Sequence, residues 1–157
     1  MRNSLPLITI AMPLYNAEAT VRSAILSIIQ QTYSNWELIV LDDGSADESA
    51  AIVASINDPR IIFIKDNSNR GISYRLNQAL ELAKGTLFAR MDADDISFPQ
   101  RFEKQVEFMQ SHSSIDLIVT GVLFFGNDGT IKGVLPVVSK HNALTRRPWN
   151  GFHMPHP

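Results

Sequence analysis

Short apolar runs alternate along this chain with stretches in which apolar residues recur every three or four positions. Residues 7–12, 36–41, 61–64, 87–91 and 117–120 are mostly apolar runs bounded by turn residues, and they predict five strands. Val21, Ala24, Ile25, Ile28 and Ile29 recur at helical spacing. So do Ile72, Leu76, Ala79, Leu80 and Ala83, with Gly85 where a helix would stop. Phe102, Val106 and Met109 mark a further helix, opened by Pro99. Pro13 is expected to end the first strand. Ser45 is expected to cap a helix whose first turn carries Asp47 and Glu48. Residues 122–135 read as a hairpin around Asn127-Asp128-Gly129, and the pattern fades after Pro136.

Strands alternating with helices predict an α/β domain, a mostly parallel sheet with helices on both faces. A single domain over residues 1–157 is expected. In such sheets ligands bind beyond the carboxyl ends of the strands. Three polar clusters fall there: Pro13-Leu14-Tyr15-Asn16, Asp42-Asp43-Gly44-Ser45 and Asp92-Ala93-Asp94-Asp95. Together they offer an aromatic ring, a polar reader and clustered carboxylates. Carboxylates this close repel one another unless a cation or solvent offsets the repulsion. Hard cations take oxygen ligands, and Mg²⁺ often combines one or two carboxylates with substrate phosphates. Asp92 and Asp94 are therefore candidate metal ligands, completed by a phosphorylated ligand. The competing reading is a solvated acidic turn.

Composition narrows the alternatives. With 45% hydrophobic and 19% charged residues the chain has the make-up of a folded globular protein. A net charge of −2, with scattered Lys and Arg, provides no field for a nucleic-acid partner. No cysteine is present, which removes disulfides, thiolate catalysis and Cys-bound zinc. No apolar run is long enough to span a membrane, and the first residues lack a signal-peptide core. The first strand is followed by Pro13-Leu14-Tyr15-Asn16-Ala17-Glu18, without the glycines of a dinucleotide-binding turn, and no glycine-rich phosphate loop occurs elsewhere. That absence also counts against a nucleotidyltransferase or phosphotransferase. A receiver-like domain would use Asp42 and Asp43 and leave Tyr15 and the later carboxylates unexplained.

The order of these clusters resembles glycosyltransferase family 2, the inverting nucleotide-sugar transferases of GT-A (Rossmann-like) fold. Besides the three clusters, the resemblance is carried by Gln31-Thr32-Tyr33, Glu37-Leu38-Ile39-Val40, Asn69-Arg70-Gly71, Asn77, Ala83-Lys84-Gly85 and Arg90-Met91. The stretch from Arg90 through Pro99 and Arg101 to Gln105 is similar to transferases that build bacterial cell-surface polysaccharides. The resemblance implies nucleotide-sugar contacts from Pro13, Tyr15, Asn16, Asp43, Asn69, Arg70, Arg90, Asp92 and Ala93. Tyr15 would lie against the base and Asp43 would accept its imide N–H. Asp92 would contact the ribose or a metal-bound water, and Asp94 would hold Mn²⁺ or Mg²⁺ on the diphosphate. From the residues alone, Arg90 lies two positions before Asp92, on the same strand face, and would orient or neutralise the acidic cluster. The competing reading makes Tyr15 and Asp43 helix caps, Asp95 the cap of the next turn, and Arg70 a solvated loop residue. The implied donor is a UDP-sugar and the implied acceptor a glycan or lipid-linked hydroxyl. The implied setting is cytoplasmic, peripheral to the inner face of the cell membrane.

Two departures stand out. Many family members carry an arginine directly before the residue matching Asn77; here that position is Leu76, and Arg75 lies one residue back, turned by about 100° on a helix. No role is transferred to it. The family's catalytic base is a carboxylate well beyond the metal motif, yet no Asp or Glu follows Asp128. The base is therefore expected beyond Pro157, in an acceptor half that this sequence does not contain. His153 and His156 read as terminal or acceptor-side residues. The alternative function is a nucleotide-sugar-binding module without turnover.

Overall fold

The computed structural model describes residues 5–126 and 128–136. The chain divides into two compact units, residues 1–112 and 113–157. The first contains β1 (Ile8–Leu14), α1 (Val21–Ile29), β2 (Trp36–Asp43), α2 (Ser49–Ala54), β3 (Ile61–Asp66), α3 (Ile72–Leu82), β4 (Leu87–Arg90) and α4 (Arg101–Ser111). The four strands form one parallel sheet in the order β3-β2-β1-β4. The second unit contributes the antiparallel pair β5 (Val122–Phe125) and β6 (Ile131–Leu135), with an irregular register between Phe124 and Phe125. Among the described residues no helix is long and apolar enough to cross a membrane.

Alternation along the buried strands assigns the two faces. Ile8, Ile10, Met12 and Leu14 of β1 pack with Trp36, Leu38 and Val40 of β2 against Val21, Ala24, Ile25 and Ile28 of α1, Val53 of α2, and Phe102 and Val106 of α4. Ala11, Ile39 and Leu41 face the other way, onto Ala79 and Leu76 of α3. Full burial of each large aliphatic side chain contributes about 1.5–3 kcal/mol. The sheet therefore carries helices on both faces, as the alternating pattern predicts. The chain runs outward from β1 to β3 and returns through α3 to lay β4 on the far side of β1. That reversal leaves a crevice between the carboxyl ends of β1 and β4, where ligands of open sheets bind.

Several boundaries differ from the sequence expectation. β1 continues through Pro13 instead of ending there. The Ala11 carbonyl accepts from the Met91 N–H at 3.0 Å, so Pro13, two residues on, faces the same edge beyond the end of β4. No ladder partner stands there to require its missing donor. Ser45 does not cap α2; the helix begins at Ser49, after Glu48. Among the described residues, 117–120 pair with no strand. The hairpin forms as expected, although Asn127 lies outside the described residues, as do His153 and His156.

The opposite end of the sheet explains the Ala83-Lys84-Gly85 segment. Buried Glu37 accepts from the Thr9 hydroxyl at 2.6 Å and the Lys84 N–H at 2.8 Å, while the Gly85 N–H donates to Thr9 Oγ1 at 2.8 Å. A Cβ on Gly85 would lie 2.6 Å from the Leu7 carbonyl and the Thr9 nitrogen. Only glycine permits this approach, which fixes the entry of β4 beside β1.

Candidate active site

The end of β1 places Tyr15 at the surface, 53% exposed. Asn16 follows at φ 47°, a left-handed conformation that asparagine tolerates better than most residues. Its side-chain oxygen accepts from the Ala46 N–H at 2.9 Å, and its own N–H donates to Ser45 Oγ at 3.0 Å. The Glu18 N–H donates to Asp47 Oδ2, and the Glu48 N–H returns to Glu18 Oε2, each at 3.0 Å. Ser45 and Asp47 thus tie the loop after β1 to the loop after β2. Tyr15 caps no helix, since α1 starts after Thr20.

Past β4 the chain turns at Ala93-Asp94, closed by an Asp95 N–H to Asp92 carbonyl bond of 3.3 Å. Arg90 forks onto Asp92, Nε to Oδ1 at 2.8 Å and Nη2 to Oδ2 at 2.9 Å. This bidentate pair is the neutralisation expected of Arg90. Asp94 is exposed, and its carboxylate makes no hydrogen bond among the described residues. Asp95 is half-buried; burial first, then the charges of Asp92 and Asp94, push its carboxyl up to about 6 against the opposing pull of Arg101 and Arg90. Burial also pulls Arg101 down to about 10.

The turn leading from these carboxylates into α4 is fastened to the end of α1. The Gln31 side chain donates to the Phe98 carbonyl at 2.8 Å and accepts from the Phe102 N–H at 3.2 Å. The Thr32 N–H donates to the Pro99 carbonyl at 2.9 Å, its hydroxyl to Glu103 at 2.8 Å, and the Ser97 N–H reaches Ser27 Oγ at 3.0 Å. The Gln31-Thr32 motif therefore acts at a distance, by holding the acidic turn.

The ends of β2 and β3 hold a different arrangement. Asp43 and Asp66 are register partners on neighbouring strands, two carboxylates side by side. The wholly buried Arg75 lies against both, Nε on Asp43 Oδ1 at 2.7 Å and Nη2 on Asp66 Oδ2 at 2.9 Å. Asp43 also accepts from the Arg70 N–H at 2.8 Å and the Gly71 N–H at 2.9 Å. Burial alone would raise the Asp43 carboxyl, but these donors outweigh it and hold it below the usual carboxylate range. Asp66 is held down at about 2, chiefly by its bond from Arg75. Gly44, at φ 80°, lets the β2 loop press on the Ser68-Asn69 backbone, which a Cβ would meet at 3.2 Å. Asn69 is exposed, and the Arg70 guanidinium lies 4.8 Å from the Tyr74 ring centroid, donating to its hydroxyl at 2.7 Å.

Pro13, Tyr15, Asn16, Asp92, Ala93 and Asp94 thus share one cleft of 530 Å³, with Glu18 and Asp47 on its wall. Asp43, Asn69, Arg70 and Arg90 lie outside that lining. The helical stripe assigned to α3 missed the decisive residue. Ile72 and Leu80 are about half exposed, whereas Arg75 shares the buried face with Ala79. The sequence signal was weak: Arg75 lies one helical turn before Ala79, but its partners Asp43 and Asp66 meet only through the register of β2 and β3.

Oxygen donors at this crevice suit a hard cation. Yet among the described residues no group of three or more His, Cys, Asp or Glu could hold one. Asp94 is open to a ligand, while both Asp92 oxygens engage Arg90. A divalent ion here would draw most of its ligands from a bound diphosphate and water.

An open parallel sheet with these elements is a GT-A-like glycosyltransferase fold. The chain belongs to glycosyl transferase family 2, whose family model matches residues 9–156. It is 38% identical over 149 residues to EpsE of Bacillus subtilis (strain 168), which carries a glycosyltransferase name, covering 92% of this chain and 53% of that protein. It is 40% identical to WfgD of Escherichia coli, named as a UDP-Glc:alpha-D-GlcNAc-diphosphoundecaprenol beta-1,3-glucosyltransferase, over 89% of this chain and 55% of WfgD. The chain thus spans about half the length of these relatives. In fold it is similar to S. aureus TarS in complex with UDP-GlcNAc, with TM-score 0.64 and 24% identity over 68% of this chain and 32% of TarS. It is also similar to the mannosyltransferase PcManGT of Pyrobaculum calidifontis in complex with GDP-Man and Mn²⁺, with TM-score 0.62 and 24% identity over 76% and 35% of the two chains.

Proposed function

We propose that this protein transfers a sugar from a nucleoside diphosphate donor, a UDP-sugar, to a hydroxyl acceptor with inversion, with the help of Mn²⁺ or Mg²⁺. The process served is bacterial cell-surface polysaccharide synthesis, and the acceptor is a glycan or lipid-linked hydroxyl. The observation that carries this reading is the convergence of Tyr15, Asn16, Asp92 and Asp94 on one cleft at the switch point of the sheet. Family membership supports it, as does the UDP-Glc and diphosphoundecaprenol chemistry in the name of WfgD.

In this reading the exposed Tyr15 ring stacks on the base and Asp43 accepts its imide N–H. Pro13, Asn16, Asn69, Arg70 and Ala93 complete the nucleotide-sugar contacts. Asp94 holds the divalent ion, and Asp92, already fixed by Arg90, turns toward the ribose or a water of that ion. The ion supplies charge neutralisation at the diphosphate leaving group. The acceptor hydroxyl needs a general base within hydrogen-bond reach. No Asp or Glu follows Asp128 among these 157 residues to serve as that base, so the second reading, which concerns this stretch by itself, is a nucleotide-sugar-binding module without turnover. Turnover with a panel of UDP-sugars separates the two.

The donor part of the proposal has a direct test. Calorimetry should show UDP binding that strengthens at least tenfold with Mn²⁺, and Asp94→Ala should abolish that gain, because one open carboxylate needs the diphosphate to complete the shell. Equal UDP affinity with and without metal, in both proteins, would sink the metal assignment.

A further inference from the structure

We infer that Arg75 is the positioning residue of the nucleotide-binding edge, holding the Asp43 carboxylate and the 66–71 turn in one orientation from inside the fold. The inference rests on the proposed role of Asp43 toward the base.

The geometry is a closed circuit. Arg75 is 0% exposed and spends its donors on four oxygens. Nε reaches Asp43 Oδ1 at 2.7 Å, while Nη2 reaches both Asp66 Oδ2 and the Ser68 carbonyl at 2.9 Å. Nη1 reaches Gln78 Oε1 at 2.9 Å. The bond to Ser68 pins the turn after β3. That turn then points the N–H groups of Arg70 and Gly71 back at Asp43. The guanidinium is rigid and planar, so bonds to several partners fix each relative to the others; an ammonium has no such fork. Without Arg75, Asp43 and Asp66 would face each other as unshielded like charges on paired strands.

The same circuit limits what Asp43 can bind. An ionised carboxylate has about four acceptor directions. On Asp43, Oδ1 takes two donors and Oδ2 takes one. One direction on Oδ2 remains, enough for a single N–H. The imide N–H of uracil meets that requirement. Cytosine presents a lone pair at the same ring position and is repelled. Arg75 thereby sets base selectivity without touching the ligand: it occupies and orients the rest of the carboxylate.

The test compares UDP with CDP, each with Mn²⁺, on wild type, Arg75→Met and Arg75→Lys, all checked for folding by circular dichroism. Wild type should prefer UDP at least tenfold, and both variants should bring the ratio close to one. A purely structural role would lower the melting temperature and leave the ratio intact, which would overturn the inference while the proposed function stands. Full retention of the ratio by Arg75→Lys would also overturn it, since charge without the fork would then suffice. If Arg75→Met does not fold, Asp66→Asn decides, because it keeps the size of a side chain that is 30% exposed and leaves Arg75 itself in place. Its UDP-to-CDP ratio should fall at least threefold, and an unchanged ratio overturns the inference. Wild type that binds UDP without preference overturns the Asp43 assignment together with the inference.

Discussion

Individual residues at the acidic turn carry opposing demands. Asp95 is the clearest case, because its carboxyl is pushed up to about 6 by burial and by the neighbouring Asp92 and Asp94. In the unfolded chain an aspartate titrates near about 3.9. Between these values the folded protein holds a proton that the unfolded chain has released, so stability declines as pH rises from about 4 to about 6. Asp95→Asn removes that penalty. In metal-free buffer its melting temperature should exceed wild type by a few degrees at pH 7, and the two should converge near pH 4. A wild-type curve that stays flat across this interval, matched by the variant, would refute the argument. Residues of this turn were legible in the sequence because Asp92 and Asp94 follow a strand directly. The fork of Arg90 on Asp92 was anticipated from their shared strand face. Arg75 was not legible, since a cation on a helix is ordinarily read as solvated. Its burial depends on Asp43 and Asp66 meeting in register, which only the sheet order supplies.

Elements were read well where one period dominated. The order of strands and helices in the parallel sheet follows from apolar runs and helical stripes. Errors arose where tertiary pairing decided a boundary. Pro13 stays in β1 because β4 has already ended beside it, and residues 117–120 are mostly apolar yet find no partner strand among the described residues. Capping was misread for a similar reason: Ser45 is engaged by the loop after β1 and is unavailable to α2. The role of Gln31 was equally hidden, because its partners lie 67 and 71 residues away. Replacing it with Leu keeps the volume, leaves the Phe102 N–H without its acceptor and takes one of two donors from the Phe98 carbonyl, which keeps the Arg101 N–H. Each lost partner costs about 1–3 kcal/mol when the remaining group stays buried. Gln31→Leu should therefore unfold at clearly lower urea concentration than wild type, and Thr32→Val, at a more exposed position, should lose less. Equal midpoints for Gln31→Leu and wild type would show that the acidic turn does not depend on this clamp.

At the scale of the whole molecule, both hydrophobic clusters found among the described residues lie within residues 1–112. So does every candidate nucleotide or metal contact, from Pro13 to Asp94. The second unit offers β5 and β6, with Phe124, Phe125, Ile131 and Val134 each about half exposed or more. An isolated two-stranded hairpin is marginal in water, whereas a parallel sheet covered on both faces holds a core of its own. Residues 1–112 should consequently fold alone, with a cooperative thermal transition. They should bind UDP with Mn²⁺ within about threefold of the full chain, since one Debye length of about 8 Å limits the reach of charges removed with the rest. Differential scanning calorimetry and titration calorimetry on the shortened and full chains provide the comparison. A shortened chain that folds but has lost UDP would place essential donor contacts after His112 and confine the present assignment to part of the site. A shortened chain without a transition would show that the core of the parallel sheet depends on the residues that follow α4.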